Sequence, residues 1–114
     1  MARKLLFLVL ALASCSKGPE ADLPYISAAR SLAAEWAMVN EQASKGHLTG
    51  AYIRTMRAMV RQQLQTNSKS LTDRQSAYGK EIGALLKEPD DAPPAELRAH
   101  SSKLKQIEDS LESA

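Results

Sequence analysis

Only one cysteine occurs in the 114 residues, Cys15, so no disulfide can form within the chain. A thiolate zinc centre, which takes several cysteines, is excluded with it. Aromatic residues make up 4%, too few for the stacking platforms that hold single-stranded nucleic acid. There is no Gly-rich phosphate loop, no HExxH pair and no nucleophile–His–carboxylate signature. No enzyme, bound metal or cofactor is therefore expected. Period-two alternation and Asn-Gly hairpin signals are missing, which argues against strands. The longest apolar run, Leu5 to Leu12, falls short of the roughly 17–25 residues of a membrane-spanning helix.

Net charge of one sign is also missing from most of the chain. Lys and Arg number 15 against 13 Asp and Glu, a formal net charge of +2. That excess is Arg3 and Lys4; from Cys15 onward the count is 13 against 13. A basic pI here describes the extreme N-terminus and is no sign of nucleic-acid binding.

What is present at the N-terminus has a fixed order. Arg3 and Lys4 form a positive segment, LLFLVLAL follows, and the small Ala13 and Ser14 precede Cys15. That order is a secretory signal peptide. The cations stay on the cytoplasmic side while the apolar run enters the bilayer core. A lone cysteine can be a buried thiol, a nucleophile or a modification site. At the end of a leader nothing structured surrounds Cys15 to lower its pKa, which disfavours the nucleophile.

Leu12-Ala13-Ser14-Cys15 resembles the lipobox of bacterial lipoproteins. The resemblance covers about 18 residues at the N-terminus and none of the body. It implies cleavage before Cys15, with Leu12, Ala13 and Ser14 recognised by the signal peptidase and a covalent lipid on the Cys15 thiol. It further implies a protein of the cell envelope, held on a membrane by its lipid and facing the periplasm. In enterobacterial members of the class an Asp after the cysteine favours the inner membrane, so Ser16 points to the outer one. The expected organisation is a signal peptide over 1–14, a lipidated tether over 15–22 and a helical domain over 23–114.

Beyond the leader, hydrophobic periodicity predicts an all-α body. Tyr25, Ala29, Leu32, Trp36, Val39 and Ala43 form a seam on one helix from about residue 23 to 45. Pro24 suits its first turn and Gly46 its C-terminus. Thr49 is placed to cap a second helix carrying Ile53, Met56, Val60 and Leu64. The Ser-, Thr-, Asn- and Gln-rich stretch 66–77 reads as a frayed end or loop. A short helix follows from Ala77 to Lys87, weakened by Gly79 and Gly83. The last helix has its cap at Asp91 or Ala92, with Pro93 and Pro94 in the first turn and a seam of Leu97, His100, Leu104, Ile107 and Leu111. The fold expected is a small antiparallel bundle of three long helices and one short one. The seams are short enough to fit an intramolecular bundle as well as a dimer.

Four features of this body could carry function. Arg54, Arg57 and Arg61 fall on one side of the second helix, a like-charged stripe that calls for an anion. That anion could be lipid headgroups, lipopolysaccharide or an acidic envelope protein, or else carboxylates of the neighbouring helices or water. His100, one turn after Glu96, could be half of a metal-ligand pair, although one His and one carboxylate fall short of the three or four ligands zinc needs, a pH-sensitive latch, or simply a partly buried His bonded to a neighbour. His47 falls in a turn and is expected to be exposed. Trp36 and Tyr25 could form an aromatic face, but their seam positions favour core packing. The partners expected are a membrane, through the lipid, and an envelope protein, with no nucleic acid.

Overall fold

A computed structural model describes residues 18–113. Among them the only regular structure is four α-helices: α1 (Pro19–Ser44), α2 (Gly50–Ser70), α3 (Ala77–Leu86) and α4 (Pro94–Glu112). This is the expected all-α bundle of three long helices and one short one. None of these helices is long and apolar enough to cross a membrane. Helix α1 packs on α4 and α2, and α3 closes the far side against α2 and α4. The register is antiparallel. Arg98 pairs with Glu41 while Glu108 pairs with Arg30, and Arg57 meets Asn40 while Arg61 meets Trp36.

Helix α1 begins four residues earlier than periodicity predicts. Gly18 adopts φ 95°, a conformation open to glycine, and Pro19 takes the first helical position, where its missing N–H costs nothing. Pro24 therefore lies inside the helix and not in its first turn. The helical domain starts at Pro19, and the stretch 19–22 assigned to the tether belongs to it. The far end closes as expected. Gly46, at φ 72°, donates to Ala43 O, and His47 N donates to Gln42 O, the paired bonds of a Schellman motif.

Helix α2 starts where Thr49 Oγ1 accepts from Tyr52 N at 3.2 Å. It runs through Ser70, beyond the expected loop boundary. The Thr66 hydroxyl donates to Gln62 O and the Ser70 hydroxyl to Thr66 O, so these polar residues stay in the helix by bonding its own carbonyls. Leu71 then drops into the core. Ser76 caps α3 by accepting from Gly79 N. Helix α4 departs from expectation at its start. Its cap is Pro93, whose carbonyl receives the amides of Glu96 and Leu97, whereas Ala92 is fully buried in the core.

The core gathers Ile26, Ala29, Trp36, Val60, Leu64, Tyr78, Ile82, Leu85, Leu97 and Leu104 with their smaller neighbours. Trp36 is 1% exposed, which settles it as a core residue, with Tyr25 packed at the edge. Below the core sits an ion. Asp22 is fully buried, and its carboxylate accepts from Tyr78 Oη at 2.6 Å, Thr72 N at 2.9 Å and Thr72 Oγ1 at 2.9 Å. Burial alone would raise its pKa, but the bonds from Tyr78 and Thr72 outweigh it and hold the carboxyl below its ordinary value. The Tyr78 hydroxyl is pushed up by burial and by the neighbouring carboxylate.

Two substitution experiments test this packing. A Cβ on Gly79 would lie 2.4 Å from Arg74 O, whereas one on Gly83 meets nothing within 4 Å. Gly79→Ala should therefore destabilise by about 1–3 kcal/mol and Gly83→Ala stabilise by about 1 kcal/mol in urea unfolding. Equal effects at the two sites would contradict the close approach. Tyr78→Phe removes a bond to a charged acceptor and should cost about 1.5–3 kcal/mol. Because the Asp22 pKa is depressed in the fold, its contribution is present above the ordinary carboxyl range and is lost as pH falls through the folded value. Wild type should thus lose its advantage over Tyr78→Phe on acidification, measured as unfolding midpoints from pH 6 downward.

Candidate functional site

Cys15 and the residues before it, Leu12, Ala13 and Ser14, lie outside the described residues. The other candidates can be placed.

The segment between α3 and α4 is rich in proline, which has no N–H to give. Its carbonyls are met by side chains of other helices. Arg61 Nη1 donates to Leu86 O at 2.8 Å and Nη2 to Glu88 O at 2.9 Å, satisfying carbonyls at the C-terminus of α3. Trp36 Nε1 and Asn40 Nδ2 both donate to Asp90 O at 3.0 Å, and Asn40 Nδ2 also reaches Ala92 O at 2.8 Å. The Asp90 carboxylate meets Arg61 Nη2 at 2.8 Å, and the guanidinium lies 4.9 Å from the centre of the Trp36 ring.

This arrangement divides the arginine stripe. Arg61 is bound on every nitrogen and acts as a cap and strap for the connection. Arg57 donates its Nε to Asn40 Oδ1 at 2.9 Å. Arg54 is exposed, and its side chain makes no hydrogen bond or ion pair among the described residues. The three arginines, with Ala58 and Asp90, line a cleft of about 280 Å³. Mutual neutralisation of a basic α2 by acidic neighbours, the bland explanation of the stripe, is met only at Arg61. Among the described residues the other ion pairs run from α1 to α4, within α4, and around His100.

His100 does not pair with Glu96, which is exposed. Its Nδ1 lies 2.6 Å from Glu81 Oε2 on α3, and its Nε2 lies 2.8 Å from Glu88 Oε2 beyond it. The imidazole thus ties α4 to the middle of α3 and to the start of the connection that follows it. Burial would lower its pKa, but bonds to Glu81 and Glu88 outweigh this and raise it. Two different ring nitrogens face the two carboxylates, so this is an ion-pair bridge and not a ligand set around one point. His47 is exposed in the α1–α2 turn, its Nδ1 2.6 Å from Gln42 Oε1.

Two other features have the shape of sites without the chemistry. A hollow of about 580 Å³ between α1 and α2 is lined by Ala28, Leu32, Met59, Gln62, Gln63 and Thr66 among others, with no ionisable group. The carboxylates of Glu108, Asp109 and Glu112 lie within 4.8 Å of one another. Glu108 meets Arg30 and Asp109 meets Lys105, so internal cations already offset two of the three.

Asn40 and Asp22 escaped the sequence reading. Both continue the buried face of α1, at 22, 26, 29, 33, 36 and 40. A polar residue on an apolar seam, needing a buried partner, was the signal for each. Comparison with family models, with characterised proteins and with solved structures finds no match to this chain.

The His100 bridge has a testable pH dependence. With the folded pKa raised, its contribution is complete below the ordinary histidine value of 6.5 and is lost as pH rises through the higher folded value. A neutral ring has one N–H and can serve only one of the two carboxylates. The stability advantage of wild type over His100→Gln in urea unfolding should therefore shrink as pH rises above 6.5. A gap independent of pH would show that the fold does not favour the charged ring.

Proposed function

We propose that this chain is the precursor of a small lipid-anchored protein of the bacterial envelope, whose helical bundle is a non-catalytic interaction module. The observation that carries the proposal is the register of cationic segment, apolar run, small residues and lone cysteine at the N-terminus. The fold adds support through spacing. Only Ser16, Lys17 and Gly18 separate Cys15 from the first residue of α1, a reach of roughly 14 Å at full extension. A lipid on Cys15 would hold the Asp22 end of the bundle within that reach of the bilayer. Each buried methylene of that lipid contributes about 0.8 kcal/mol, and two or three chains make release negligible. Ser16 favours the outer membrane as its destination. Partners would then be met from a fixed surface.

Expression of wild type and Cys15→Ala in a Gram-negative host, followed by intact-mass measurement, tests the anchor. Wild type should lack residues 1–14 and carry diacylglyceryl and acyl mass on Cys15, and Cys15→Ala should keep its leader and carry no lipid. A wild-type chain that retains its leader, or is cut without gaining lipid, would overturn the reading.

A further inference from the structure

From Lys45 to Thr72 the chain carries five cations and no anion. The arginines among them differ in what the fold leaves them to do. Arg61 is consumed by the Leu86 and Glu88 carbonyls, the Asp90 carboxylate and the Trp36 ring. Arg57 is oriented but not consumed. Its Nε is held by Asn40 Oδ1, and Asn40 is itself 5% exposed and fixed by Asp90 O and Ala92 O. Among the described residues the Arg57 Nη atoms have no partner, and neither does any nitrogen of the Arg54 guanidinium. Both line the cleft that Arg61 and Asp90 close on one side.

Counting charge narrows the ligand. Asp90 offsets Arg61. Glu41, which follows Asn40 in α1, is engaged by Arg98. Asp91 lines a separate hollow on the other side of Arg57 and forms no ion pair with it. Two guanidinia are left over at one cleft, spaced i,i+3, where they repel each other unless an anion intervenes. A carboxylate brings one charge. A phosphate monoester brings between one and a half and two negative charges near pH 7, roughly, and three strong acceptor oxygens. Guanidinium forks match that geometry in a way ammonium groups do not.

We propose that Arg54 and Arg57 form a binding site for a terminal phosphate group, with Arg57 preset by the buried Asn40 amide and Arg61 serving as fixed wall. The site stands at the α1–α2 end of the bundle and does not rest on the lipid anchor. Its ligand is a phosphate monoester, carried by a lipid headgroup or by a soluble or sugar phosphate.

The test uses the full chain in uncharged detergent micelles. Arginine Nε–Hε NMR signals are followed during titration with inorganic phosphate and, separately, with dihexanoyl phosphatidic acid. Saturable shifts at Arg54 and Arg57, without shifts at Arg98, are expected. Arg54→Gln and Arg57→Gln should each weaken binding about tenfold, the loss of one charge-assisted contact. Arg57→Lys keeps the charge but loses the fork, so it should weaken binding as well. Helicity by circular dichroism shows that each variant is folded. Similar affinity for both probes would mean that phosphate alone is read, and tighter binding of the lipid would assign the site to headgroups. Absence of saturable binding by either probe, or affinity unchanged in both Gln variants, would overturn the proposal.

Discussion

Four alternate carbonyls, of Leu86, Glu88, Asp90 and Ala92, receive N–H donors from three side chains on two other helices: Arg61, Trp36 and Asn40. The chain between α3 and α4 cannot satisfy these groups by itself, because its prolines interrupt any ladder of its own. Burying them bare would cost each carbonyl its hydration. The three donors thus decide where α3 stops, where α4 starts and how α1 and α2 face the pair. Asn40 does this with its amide nitrogen and keeps its oxygen for Arg57. One buried amide therefore links the fold's main polar junction to the cleft on α2.

The shortest helix carries the densest polar support. Ten residues of α3 could not hold a helix alone in water. Its N-terminus has the Ser76 cap, the close approach of Gly79 to the Arg74 backbone and the Tyr78 bond to Asp22. Its C-terminus has Arg61 on its carbonyls and Glu88 on His100, and Glu81 reaches the same ring from within the helix. Apolar burial of Ile82 and Leu85 gives the helix its place, and these bonds give it its register.

Periodicity carries the architecture because apolar spacing reports directly on which face is buried. The seams through Trp36 and Leu104, the Gly46 terminator and the Thr49 cap all read correctly for that reason. Residues whose roles depend on distant partners were not legible. Asp22 looks like part of a tether until Thr72 and Tyr78 are folded against it. His100 has Glu96 nearby in sequence, yet tertiary packing supplies Glu81 and Glu88. The arginine spacing was plain, but which guanidinia the fold consumes depends on a connection roughly thirty residues later. Cys15 is read from its sequence neighbours alone, since it precedes the described residues.

The Asp22 cluster also has a mechanical meaning. Any pull on the chain at Gly18 reaches the bundle through the first turns of α1. There, one carboxylate grips both the amide and hydroxyl of Thr72 and the hydroxyl of Tyr78. Those bonds tie the start of α1 to two separate parts of the fold, so force applied at the N-terminus would be passed on to the α2–α3 linker and to α3.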